Sequence, residues 1–239
     1  MNFKNILAEF INNFVKSRKK EKSQKEFAYD IVLSVGEHCR PMYYLKKHGL
    51  RFCANPLDSM GFYSLDAVIH LFKTGFNDFF EDFVKDEQKS LQDNYNWYYD
   101  TKNNITSRYY DDVESNNADF REKMKNRFEK INKILLNANK ICFISCRNED
   151  VDVFKNFLHE MDKMYSGRIT FINIRDNREI DNVKFYKEKI SEKSDLIEYE
   201  FKDVHPDGDD LTINKDAWYG NYVIWDNIIE KISICSLKN

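Results

Sequence analysis

The chain has 239 residues, 42% hydrophobic and 32% charged, with 37 basic against 40 acidic side chains and a net charge of −3. That length supports one sizeable core, with roughly 70% of the unfolded surface removed from water, and 19 Phe with 14 Tyr make it aromatic-rich. The near balance of charge gives no global field for nucleic acid or an acidic partner, and no apolar run nears the ~18 residues of a membrane span.

In chain order, NFKNILAEFINNFVK spaces Phe3, Ile6, Leu7, Phe10, Ile11, Phe14 and Val15 along one face of an amphipathic helix. Interspersed polar residues set it apart from a signal peptide. With the basic hinge KSRKKEKSQK it forms an arm over 1–27. The arm is suited to docking on its own domain, to homo-oligomer contact, or to peripheral contact with a membrane surface.

AYDIVLSV reads as a buried strand ended by Gly36. A helix follows from about Cys39 to Lys47, with Pro41 in its first turn and Gly49 just past its end. SLDAVIHLFKTG is a helix capped by Ser64 and closed at Gly75. NWYYDTKNNITSRYY reads as a hairpin turning at TKNN, an insertion or lid. Asn117 to Asn137 is a long helix, KICFISC a second strand, and EDVDVFKNFLHEMDKMYSG a helix stopped at Gly167. RITFINIR and LIEYEF are the third and fourth strands, and a last helix runs from Asn221 to Ile234.

Strands that are apolar throughout and separated by helices predict a three-layer α/β/α fold with a mainly parallel sheet. Residues 28–239 are expected to form one domain.

Such sheets bind ligands at the carboxyl ends of their strands. Cys39 falls there, at a helix start that stabilises a thiolate. His38 is adjacent but reads as pointing away on a helix turn. His205, in VHPDGDD after the fourth strand, is therefore the candidate base, with Asp203, Asp207 and Asp209 around it to orient the ring. Arg51, Asp58 and Arg147 sit at the same edge; the arginines suit a carboxylate or phosphate, and an Arg51 to Asp58 ion pair pinning the loop is the alternative.

The five cysteines, Cys39, Cys53, Cys142, Cys146 and Cys235, contain no CxxC pair and read as free thiols of the cytoplasm. Cys142 and Cys146 share strand parity, which favours packing over metal binding. His48, His70 and His159 lie on helices without a partner histidine at ligand spacing. No metal site is expected. Gly36 lacks the companions of a dinucleotide or phosphate loop, so neither NAD nor ATP is implied.

DIVLSVGEHCRPMYYLKKHGLR followed by NPLDSM resembles the opening of the DUF1796 family, bacterial proteins of unknown function described as papain-like cysteine peptidases. That opening is a strand, SLGxxC, a helix, LR, then PLDW or PFDW. DAWYGNYVIWDNII is similar to the family's ending, and KICFISCRNED to its central strand ending in arginine.

The resemblance places the family cysteine on Cys39, its glycine on Gly36, its LR on Leu50 and Arg51, and its PLD on Pro56, Leu57 and Asp58. It marks Cys39 as the nucleophile, beside which the reading of the residues sets His205 and Asp207, and substrate contacts are expected from Gly36, Glu37, His38, Arg51, Asp58, Arg147 and Trp218. It implies a peptide or acylated-glycan substrate, no cofactor for a hydrolase, and CoA for an acyltransferase. A papain-like α+β fold is the alternative architecture. Two departures stand out: Ser59 replaces the aromatic after PLD, and the family's middle histidine would fall near 108–110, where this chain has none. A missing base would leave His205 in its place, or a non-catalytic module that binds a glycan, a nucleotide-sugar or a peptide.

Overall fold

A computed structural model describes residues 26–36, 38–93, 95–107, 110 and 112–235. The arm expected over 1–27, save its last two residues, and Glu37 lie outside them. Among the described residues there are seven α-helices and eleven strands, a mixed α/β arrangement.

The first apolar run is two strands, β1 (Phe27–Tyr29) and β2 (Ile31–Ser34). They part at Asp30, whose Oδ2 accepts the amide N–H groups of Asn139 and Lys140. Helix α1 (Arg40–Lys47) ends as expected before Gly49, whose φ of 69° suits glycine. A 3₁₀ turn Pro56–Ser59 and strand β3 (Met60–Gly61) lead to helix α2 (Leu65–Thr74). Ser64 Oγ caps α2 by accepting the Ala67 N–H, and Gly75 closes it.

The expected lid is larger than a hairpin. Strands β4 (Phe83–Lys85), β5 (Tyr98–Asp100) and β6 (Ile105–Ser107) join β3 in an antiparallel sheet of order β3-β6-β5-β4, with helix α3 (Glu87–Asp93) inserted. Asp100 holds the β5–β6 turn, accepting the Lys102 and Asn103 N–H groups.

A short helix α4 (Asp112–Ser115) and the long α5 (Asn117–Leu135) follow, then β7 (Lys140–Ser145), α6 (Val151–Met164), β8 (Arg168–Asp176), β9 (Lys184–Lys189) and β10 (Ser194–Phe201). The expected last helix is shorter. It spans α7 (Tyr222–Ile229) and gives way to β11 (Ile232–Ile234), which pairs in parallel with β1.

The central sheet has the order β2-β7-β8-β10-β9, parallel except for β9. Its residues alternate between two cores. Ile31, Leu33, Ile141, Phe143 and Phe171 face α2, α5 and α6. Val32, Cys142, Ile144, Ile172 and Tyr199 face α1, α7 and β11.

The sheet is therefore covered on both faces, and the chain leaves β2 and β7 in opposite directions. After β2 it turns to α1 on one face, and after β7 to α6 on the other. A crevice opens at the carboxyl ends of two adjacent strands when their connections part in this way. No described helix is long and apolar enough to cross a membrane.

Candidate active site

Cys39 stands at that crevice. It is the N-cap of α1, with φ −72° and ψ −7°; its side chain makes no capping bond, and its carbonyl accepts the Tyr43 N–H. The thiol is half-buried, and nothing in the cap uses its sulfur.

The turn before it is braced. Arg147 donates from Nε and Nη2 to Val35 O, each at 3.1 Å, and Tyr63 donates its hydroxyl to Gly36 O. The Arg147 guanidinium also lies 5.1 Å from the Tyr63 ring centre. Gly36 is required by space, because a Cβ there would sit 2.9 Å from Pro41 Cγ in the first turn of α1. The Val35 and Gly36 carbonyls are thus fixed from outside the loop, and with them the approach to Cys39.

Two cavities flank the thiol, and His38 and Cys39 line both. The first, of about 310 Å³, has Met60, Phe62, Lys89 and Trp97 in its wall. The second, of about 330 Å³, is bounded by Arg40, Arg178, Asp203 and Trp218. Trp218 therefore shares a cavity with Cys39. His38 is placed in a bend before α1 rather than on a helix turn, with its ring edge-on to Phe62 at 5.8 Å between centres.

The other expected site residues do different work. Arg147 is buried, its fork spent on Val35 O and its Nη1 on Glu149, so it braces the turn and offers no fork to a ligand. Arg51 and Asp58 form the ion pair named as the alternative, with Nη2 to Oδ2 at 2.7 Å. Asp58 Oδ2 also accepts the Asn55 N–H, and Asn55 Nδ2 donates to Ser34 O at the end of β2. This chain of bonds holds the 3₁₀ turn whose Ser59 lines the first cavity.

Burial raises the Asp58 carboxyl above its usual range, with Arg51 opposing it. The stability that Asp58 contributes in acid is therefore lost as pH rises through its raised folded value, and Arg51 limits that loss. Arg51→Met should cost about 1–3 kcal/mol at neutral pH and less below about pH 4, where Asp58 is protonated. Urea unfolding at the two pH values checks it; an equal loss at both would rule out the charge pair as the cause.

The two cavities beside Cys39 do not bring in His205 and Asp207, the expected base and orienting carboxylate. His205 is 6% exposed and lines neither cavity. Its Nδ1 accepts hydrogen bonds from Asp207 N at 3.1 Å and Asn214 Nδ2 at 2.9 Å, so the neutral ring carries its proton on Nε2. The Asp207 carboxylate is 82% exposed and 3.9 Å from Nδ1. The ring closes the 205–214 loop.

Asp203 faces away from it, accepting from Arg40 Nη1, Asn221 N and Trp225 Nε1. Arg40 Nε donates to Trp218 O, so the residue after the thiol is fastened to the C-terminal segment.

A family model described as "Putative papain-like cysteine peptidase (DUF1796)" matches residues 30–177. The chain belongs to that family. The DUF1796 match runs from the start of β2 to the end of β8, so it takes in Cys39, the Arg51–Asp58 turn, the antiparallel sheet and Arg147. It stops before Asp203, His205 and Trp218. Searches of curated proteins and of solved structures found no match.

Lys89, Trp97 and Phe62 were not foreseen as site residues. The hairpin is legible in the sequence, but nothing in its local pattern tells that β3 pairs with β6 and brings it to Cys39. Arg40 and Gly220 were also missed, and HCRP with WYGN was the available signal.

Proposed function

We propose that the chain is a cysteine-dependent acyl hydrolase, a peptidase in keeping with its family's description. The observation that carries this is the position of Cys39: a helix-start thiol, free of capping bonds, between two cavities and beside His38. The Cys39 sulfur adds to the acyl carbon as its proton passes to His38. The first-turn amides of α1, one fewer because of Pro41, hold the oxyanion. Collapse breaks the bond to the leaving group, which takes the proton, and water then cleaves the thioester to release acid and thiol.

Transfer to a glycan hydroxyl would use the same first half, with the acceptor in the second cavity. A non-catalytic binding module loses support, because Arg51, Asp58 and Arg147, its recognising residues, are engaged internally.

Limiting iodoacetamide with peptide mass mapping tests the reading. Cys39 should be alkylated before the half-buried Cys53 and Cys146. Cys142, whose pKa burial pushes up, should stay unmodified. Labelling of Cys39 no faster than that of Cys53 and Cys146 would sink the activated thiolate.

A further inference from the structure

The first cavity has a chemistry of its own. Lys89 is half-buried in its wall, with Nζ 3.8 Å from the Trp97 ring centre and 5.0 Å from that of Phe62. Among the described residues no carboxylate pairs with this ammonium, whereas neighbouring lysines such as Lys85 and Lys102 are paired.

The rings that hold Lys89 are themselves fixed. Trp97 is 6% exposed, donates its amide N–H to Ser90 Oγ, and donates Nε1 to Asp93 Oδ2 at 2.9 Å, so α3 grips it from two sides. Asp93, the acidic side chain of this wall, holds the indole through that bond at Oδ2. Phe62 is 56% exposed, yet its backbone is held at φ 53°. A left-handed conformation is costly for a bulky residue and persists where the surroundings impose it. Here it presents an exposed ring to both His38 and Lys89.

We propose that this cavity selects the acyl side of the substrate and that it takes an acidic side chain of the aspartyl or glutamyl type. This rests on the reading of Cys39 as nucleophile. Met60, Phe62 and Trp97 cover the aliphatic stem, and Lys89 meets the terminal carboxylate. A cavity of about 310 Å³ is at the small end for ligand sites and suits one residue rather than a long chain. A cation pinned on aromatic faces keeps its charge and loses little further freedom on pairing. A basic side chain would meet like charge in the same place.

Three peptidyl chloromethyl ketones with glutamyl, leucyl or lysyl groups next to the warhead test this on the full chain. Each alkylates by forming a sulfur–carbon bond as chloride leaves, the thiol proton passing to solvent, and peptide mass mapping gives the rate at Cys39. The glutamyl probe should react about tenfold faster than the other two, less so in high salt. Lys89→Gln should bring the three rates together, and Lys89→Glu should make the lysyl probe fastest.

Equal rates in the unsubstituted chain, preference for the leucyl or lysyl probe, or an unchanged order in folded Lys89→Gln would overturn the proposal and leave the thiol reading standing. If no probe labels Cys39 faster than Cys53, the nucleophile itself is wrong and the proposal falls with it.

Discussion

Asp203→Ala is expected to cost about 3–5 kcal/mol, the range for removing one partner of a buried ion pair. The side chain is 3% exposed against 24% for Arg40, and its two oxygens serve Arg40, the Asn221 amide and the Trp225 indole. Deletion leaves three donors without an acceptor in a region closed by Trp225, itself stacked on Tyr44 at 4.8 Å between centres.

Gly220→Ala should reach much of the same loss by another route. A Cβ there would fall 2.2 Å from Asp203 Oδ1, and φ is 66°. Urea unfolding followed by circular dichroism measures both, and a loss below about 1 kcal/mol for Asp203→Ala would show the network to be solvated. Because Arg40 follows Cys39 directly, Asp203→Asn, which keeps the size but not the charge, should also slow iodoacetamide attack at Cys39 in the folded fraction.

What the sequence disclosed depended on how local the cause was. Ser64, Gly75, Pro41 and Gly49 act through their own turns, and the helices they bound are where those residues place them. The central strands announced themselves by apolar runs, because each is buried on both faces.

Strand β9, KFYKEK, is exposed along its length and carries no such run; it exists because β10 offers it an edge. Strand β11 depends in the same way on β1, more than 200 residues away in sequence. A lone sequence cannot separate an arginine that binds from one that braces, since both sit at strand ends for the same donors. Arg147 shows this: its position was read correctly and its partner, Val35 O, was not.

The cysteine was legible because a helix start after a strand is a local feature, whereas its companions arrive through a distant antiparallel sheet.

His38→Gln is expected to slow acylation or alkylation of Cys39 by about 10²–10⁴-fold, the usual contribution of a positioned base. Because His38 is exposed, the variant's unfolding free energy should change by less than about 0.5 kcal/mol, so the loss is one of rate and not of fold.

His205→Gln is expected to do something else. It disturbs the acceptor that Asn214 and the Asp207 amide share, costing about 1–3 kcal/mol of stability while leaving the rate per folded molecule within about threefold. Measuring both rates per folded molecule and both unfolding curves separates the two histidines. A 10²–10⁴-fold loss of rate in His205→Gln alone would move the base to the 205–214 loop. His205 lines neither cavity, and its Nδ1 lone pair is already shared by two donors, so that result would require the loop to release the ring before it could take a proton from Cys39. His38 needs no such opening, because it already lines both cavities with the thiol.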